Sequence, residues 1–228
     1  MHIAGLQKLS LLDFPDKVAC TIFSAGCNFR CPYCHNASLL VDQTRYSEED
    51  ILAFLQKRKH LLDGVCVTGG EPLMWRDIDA FLAQIKALGL AVKLDTNGSY
   101  PARLRELIDA HLVDYVAMDI KNAPAHYPQT IGLPGYDIAP ILESIDYLLT
   151  APVPYEFRTT VVREFHTQDR LLDLARRICG AQRYYLQSFE DSGDVLCPGL
   201  TAYTPAEMNV FLQSILPLLP TAELRGIE

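Results

Sequence analysis

No apolar run in the 228-residue sequence approaches membrane-spanning length, and Met1-His2-Ile3-Ala4-Gly5 does not open a signal peptide. The expectation is therefore a cytoplasmic protein with no membrane partner. Positive charge is also scarce. Twenty Lys and Arg against 28 Asp and Glu leave a net charge of −8, which disfavours a basic nucleic-acid groove. Low-complexity tracts, internal repeats and linkers are lacking, so one domain over 1–228 is expected. Its parts would be a lead-in over 1–17, a core over 18–189 and a terminal loop and helix over 190–228. With 49% hydrophobic and 21% charged residues, the composition is that of a globular chain rather than a disordered one.

Seven cysteines, an odd number, argue against a disulfide framework and for metal or redox use. Cys20, Cys66, Cys179 and Cys197 are scattered and read as buried apolar residues or incidental thiols. The other three fall within eight residues, Cys27-Asn28-Phe29-Arg30-Cys31-Pro32-Tyr33-Cys34. Three thiolates are one short of the four that close an ordinary iron–sulfur cluster, so a [4Fe–4S] cluster here would keep one iron open to a small molecule. A zinc site with His35 as fourth ligand and a chance run of cysteines are the alternatives, although zinc spacings usually come as two separated pairs.

Strand and helix signals alternate along the chain. Strands are expected at Val18–Ser24, Gly64–Thr68, Ala91–Asp95, Asp114–Lys121, Tyr155–Val162 and Arg183–Phe189, and residues 5–17 read as an irregular lead-in. Helices follow Ser47, Asp77, Tyr100, Asp137, Thr167 and Thr204, with capping signals at Ser47 and at Thr204-Pro205-Ala206-Glu207. Six alternating units imply parallel strands joined by right-handed crossovers, in an open doubly wound sheet or a barrel. Either arrangement gathers ligands at the carboxyl ends of the strands.

Chemistry-bearing residues fall at those ends. Gly69-Gly70-Glu71-Pro72 follows the second strand, where two glycines let backbone approach a ligand; a plain tight turn is the alternative. Asp95-Thr96-Asn97-Gly98 ends the third strand and Asp119-Ile120-Lys121 the fourth. Alternation puts Asp119 and Lys121 on one face, where each needs the other or a ligand to offset desolvation. Arg158 and Gln187, on later strands, could reach the same place.

Cys27-x3-Cys31-x2-Cys34, with an aromatic residue before the last cysteine, resembles the signature of the radical S-adenosylmethionine (SAM) superfamily. The resemblance implies a partial (β/α)6 TIM-like barrel of parallel strands, open on one side. It also implies one [4Fe–4S] cluster on Cys27, Cys31 and Cys34, and reductive cleavage of SAM to methionine and a 5′-deoxyadenosyl radical. By the same resemblance Gly69, Gly70 and Glu71 hold the SAM amine, Tyr33 lies against the adenine or shields the cluster, and Asp95, Asn97, Asp119 and Lys121 contact SAM, with Arg158 and Gln187 further candidates. The lead-in Gly5-Leu-Gln-Lys-Leu-Ser-Leu-Leu-Asp-Phe-Pro-Asp-Lys17, together with Ala25-Gly-Cys-Asn-Phe-Arg-Cys-Pro-Tyr-Cys-His-Asn36, is most similar to activating proteins of anaerobic ribonucleoside-triphosphate reductase, among the glycyl-radical-enzyme activases. It departs from them at Asp16, where glycine is usual. A glycyl radical enzyme as partner and a flavodoxin- or ferredoxin-type electron donor follow from that likeness. Rival readings are a radical SAM enzyme of the 7-carboxy-7-deazaguanine synthase type, acting on a small molecule, and a zinc-binding module without catalysis. Residues 122–135 are expected as a rim loop offering Tyr127, Ile131 and Leu133 to a protein partner.

Overall fold

Cys20 and Ile22 on one face and Thr21 and Phe23 on the other set the pattern of the whole sheet, because alternate side chains of a strand point to opposite faces. The structure, a computed structural model, describes residues 1–41, 44–191 and 193–227. Its strands are β1 (Ile3–Ser10), β2 (Ala19–Ser24), β3 (Gly64–Gly69), β4 (Ala91–Thr96), β5 (Tyr115–Asp119), β6 (Tyr155–Val161), β7 (Tyr184–Ser188) and β8 (Ala222–Arg225). They lie side by side in chain order in one sheet. From β2 to β8 every pair is parallel, and only β1 runs antiparallel, against β2. No pairing joins β1 to β8 among the described residues, so the barrel is partial and open at one flank.

The helices are α1 (Glu48–Arg58), α2 (Ile78–Ala87), α3 (Pro101–Asp109), α4 (Tyr127–Thr130), α5 (Ala139–Leu149), α6 (Gln168–Arg177) and α7 (Pro205–Ile215). Both capping boxes form: Ser47 and Asp50 exchange hydrogen bonds at the start of α1, and Thr204 and Glu207 at the start of α7. The apolar faces of the helices cover the outer side of the sheet in one continuous core that includes Ile22, Val65, Leu94, Val116, Phe157 and Leu186. None of the described helices is long and apolar enough to cross a membrane.

Two edge strands were not expected. β1 falls in the lead-in, where two register irregularities against β2 break the period-two alternation that would have marked it. β8 is four residues long, too short to stand out. Its Ala222 and Leu224 face the helices while Glu223 and Arg225 alternate to the other side. Asp16 takes a left-handed conformation, φ 60°, so the position where glycine is usual keeps its turn with aspartate, a residue that tolerates this region better than most. Phe14, on the same turn, plugs the amino end of the sheet against Ala19, Ala91 and Tyr115.

Residues 122–135 differ most from expectation. Pro124–His126 and α4 are helical, and Tyr127 and Ile131 are 2% and 0% exposed. These two side chains fill the core and are not offered to a partner; Leu133 is half-buried. Apolar groups in a proline-rich segment can serve a core as well as a surface, and the sequence pattern does not distinguish the two.

Candidate functional site

At the carboxyl ends of the strands lies a cleft of about 620 Å³, within the ordinary range for cofactor sites of about 300–1,000 Å³. Cys27, Cys31, Cys34, Gly69, Gly70, Asp95, Asn97, Asp119, Lys121, Arg158 and Gln187 line it together, and Tyr33 reaches its wall. The sequence-predicted residues therefore share one cavity, with Glu71 the exception.

The cysteine loop leaves β2 after Ser24 and is fastened on several sides. Asn28 donates to Ser99 Oγ (2.9 Å) and accepts from Asn97 Nδ2 (2.9 Å), while Phe29 N points at Cys27 Sγ (3.4 Å). Asn97 in turn accepts from Ser99 N, so its amide is spent on shaping the loop. Burial pushes the Cys27 thiol up to about 11, with the neighbouring Glu71 adding to the shift. Burial likewise takes Cys31 to about 12. Both are protonated at neutral pH without metal, and iron must displace those protons to bind. Among the described residues, no three His, Cys, Asp or Glu side chains lie close enough to hold a single metal ion. A zinc site needs its ligands within about 2.0–2.3 Å of one point, whereas a cubane takes its thiolates one per iron at separate corners.

Gly69-Gly70 is held by backbone. Gly70 N donates to Ser24 O (2.8 Å) and Glu71 N to Gly26 O (2.8 Å). A Cβ on Gly70 would sit 1.8 Å from Gly26 O, so glycine is required here by the approach of two chain segments, ligand or no ligand. Glu71 is 0% exposed, and its carboxylate accepts from Leu73 N (3.1 Å), Thr96 Oγ1 (2.8 Å) and Asn97 N (2.7 Å). With both oxygens occupied, Glu71 ties the glycine turn to the end of β4. Burial pushes its carboxyl up to about 7 against the pull of those three donors.

Deeper in the cleft runs a ladder of alternating charges. Lys93 pairs with Asp95; Asp95 Oδ2 with Arg158 Nη1 at 3.1 Å; Arg158 Nε with Asp119 Oδ1 at 2.9 Å; and Asp119 Oδ2 with Lys121 Nζ at 3.1 Å. Glu156, 1% exposed, lies 3.9 Å from Arg158 and is held by Arg225 at 3.0 Å and by the Tyr115 hydroxyl at 2.9 Å. Burial alone would push the Asp119 carboxyl up, yet Arg158 and Lys121 bring it well below the ordinary carboxylate range. Asp95 is lowered in the same way, by Arg158 and Lys93 against the opposing effect of burial. Asp119 and Lys121 thus have each other as well as facing the cleft. Arg158 is spent on carboxylates, and Gln187 stands at the rim beside Arg225 in register.

Sequence reasoning missed Lys93, Glu156 and Arg225. Two of them carried a signal, since Lys93 lies two residues before Asp95 and Glu156 two before Arg158, on the same strand faces. Arg225 carried none, because β8 was not recognised. His166 is 0% exposed and stitches two strand ends, with Nε2 on Lys121 O (2.8 Å) and Nδ1 facing Val162 N (3.0 Å). Tyr33 packs against Phe165 and His166, with ring centroids 5.7 and 6.4 Å apart. Among the described residues its buried hydroxyl has no hydrogen-bond partner, a cost that an acceptor in the cleft would remove.

These features fit the cofactors implied by the cysteine spacing. Three thiols border a cleft whose inner wall carries both signs of charge, with an unpaired buried donor beside them. SAM brings a sulfonium, an amine and a carboxylate to such a wall.

Comparison with known proteins agrees. The model of the radical SAM superfamily matches residues 21–178. A Methanocaldococcus jannaschii protein provisionally assigned as a glycyl-radical enzyme activating enzyme is 34% identical over 196 residues, 82% of this chain and 80% of that one. The pyruvate formate-lyase-activating enzyme of Listeria monocytogenes is 28% identical over 71% of this chain and 68% of its own. Among solved structures, Streptococcus suis SuiB bound to its precursor peptide superposes with a TM-score of 0.71 at 14% identity, over 90% of this chain and 48% of that one. This chain thus spans about half of SuiB, and at that identity the likeness concerns the fold alone.

Proposed function

The chain belongs to the radical SAM superfamily, whose cofactors are a [4Fe–4S] cluster and SAM, and from that premise we propose that it activates a glycyl radical enzyme. The reductase that makes deoxyribonucleoside triphosphates without oxygen is the partner favoured by the Gly5–Lys17 lead-in, and a flavodoxin- or ferredoxin-type protein the electron donor. One observation carries the choice of a protein substrate. The cysteine triad and the Asp119–Lys121 pair share a cleft in a sheet whose edges β1 and β8 do not pair among the described residues, an arrangement that would give a polypeptide loop a lateral way in.

Cys27, Cys31 and Cys34 would hold the cluster, and the cleft wall would hold SAM. When bound, these groups supply one-electron cleavage of a sulfonium and a radical able to take hydrogen from a glycine Cα. The chain's own residues orient and shelter that chemistry. The glycine turn would present backbone groups to the SAM amine and Asp119 and Lys121 would meet its charged ends, while Arg158, itself held by Asp95, fixes Asp119 from behind.

The test is anaerobic SAM cleavage with and without candidate glycyl radical enzymes, read together with electron paramagnetic resonance of the partner. A glycyl signal that requires this protein, is lost in Cys31→Ala and is kept in Cys66→Ala is expected. Turnover of a nucleobase precursor with no glycyl signal on any partner would instead assign the chain to the small-molecule branch.

A further inference from the structure

The segment after β5 is fastened to the cysteine loop rather than left free for a partner. Asn122, 1% exposed, donates to Thr130 Oγ1 (2.9 Å) and to Phe165 O (2.9 Å), and Thr130 donates to His126 O (2.9 Å). Tyr127 and Ile131 are sunk in the core, and the Tyr127 hydroxyl faces Asp119 O at 3.5 Å. From this rigid piece Ile131 O accepts the backbone N–H of Arg30 at 2.9 Å. Gly132 comes next, at φ +70°, and a Cβ there would lie 2.1 Å from Arg30 O and 2.9 Å from its carbonyl carbon. Arg30 immediately precedes Cys31, and its guanidinium folds back onto Cys27 O (2.6 Å) and Phe29 O (2.7 Å). On the far side of Cys31, Pro32 O accepts from Cys197 N at 2.8 Å. Backbone from two remote segments therefore brackets Cys31.

We propose that residues 122–132 form a clamp that sets the position of the Cys31 thiolate relative to the Asp119–Lys121 pair, with Gly132 as its positioning residue. The clamp starts immediately after Lys121 and ends on the neighbour of the cysteine, so it fixes the span between the two halves of the site. The proposal rests on the reading of Cys27, Cys31 and Cys34 as cluster ligands. Thiolate placement and solvent exposure tune an iron–sulfur cluster, so a slackened clamp alters the cluster and not only the fold.

Gly135 provides the control. It too is left-handed, φ +83°, but an added Cβ there meets nothing within 4 Å. Gly132→Ala and Gly135→Ala impose the same kind of backbone strain, and only the first presses on the cysteine loop. The experiment compares wild type and both variants after anaerobic reconstitution, by iron and sulfide content and by electron paramagnetic resonance of the reduced cluster. Gly135→Ala should match wild type. Gly132→Ala should carry less than about half the wild-type iron or, at full loading, show shifted g values. Equal loading and identical spectra in the two variants overturn the clamp. If Gly132→Ala does not fold, hydrogen exchange of the wild-type apoprotein decides: protection of the Arg30 amide supports the clamp, and exchange as fast as that of the exposed Gly135 amide overturns it. A wild-type chain that takes up no iron refutes the cluster reading underneath, an outcome distinct from a loaded wild type with indistinguishable variants.

Discussion

Replacing Arg158 by methionine removes the central cation of the buried ladder and leaves a side chain of similar length. In the native chain Arg158 serves Asp119 at 2.9 Å and Asp95 at 3.1 Å, with Glu156 at 3.9 Å. Stripping one partner from a buried ion pair usually costs about 3–5 kcal/mol, because the other charge stays desolvated. Here each carboxylate keeps a second cation: Lys93 for Asp95, Lys121 for Asp119 and Arg225 for Glu156. The cost should therefore fall at the low end, about 3 kcal/mol. For a chain of this length that lowers the melting temperature by about 6–12 °C. Thermal and urea melts of the apoprotein under nitrogen measure it. Arg176→Met, which breaks an exposed pair with Asp173, is the control and should shift the midpoint by less than about 2 °C. A loss below about 1 kcal/mol for Arg158→Met would refute the reasoning. It would mean that water in the cleft, rather than the guanidinium, compensates Asp95 and Asp119.

Lys121→Ala should weaken SAM binding about ten- to a hundredfold, the worth of one sheltered charged hydrogen bond at about 1.5–3 kcal/mol; unchanged affinity in an anaerobic calorimetric titration would leave Lys121 as a partner of Asp119 only. Burial holds His166 neutral, lowering it from 6.5 to about 4. Between those values the unfolded chain binds a proton that the folded chain refuses, so this contribution is complete above about pH 6.5 and is lost as pH falls toward 4. It amounts to about 3 kcal/mol at most. Melts across that range should show a shallower decline in His166→Asn, and parallel profiles would count against the assignment. Gly70→Ala drives a Cβ against the backbone oxygen of Gly26, which cannot rotate away, and should cost at least about 3 kcal/mol. A variant as stable as wild type would show that the turn and the start of the cysteine loop do not meet so closely.

The cysteine spacing, the strand–helix alternation and the strand-end motifs were legible because each is local. Three thiols in eight residues, a glycine pair after a strand and a cap before a helix declare themselves within a few positions. The six central parallel strands could be read in this way, and the residues at their carboxyl ends do gather in one cleft. Local pattern failed where its period was broken or too short to register: at β1, with its irregular register, and at β8, with four residues. It also failed for Tyr127 and Ile131, since apolar character does not reveal which way a loop folds.

By itself, then, the sequence determined the close spacing of the three cysteines and the order of the central strands and helices, through covalent spacing and side-chain period. Only the tertiary structure decided what each charged group faces. It spent Glu71 on the β4 end, placed Arg158 between carboxylates of two other strands, and brought Arg225 from β8 onto Glu156. It also closed Gly132 onto Arg30 across about a hundred residues of chain. Buried charges must find compensation wherever the fold offers it, and that choice depends on distances between strands, which no local pattern encodes.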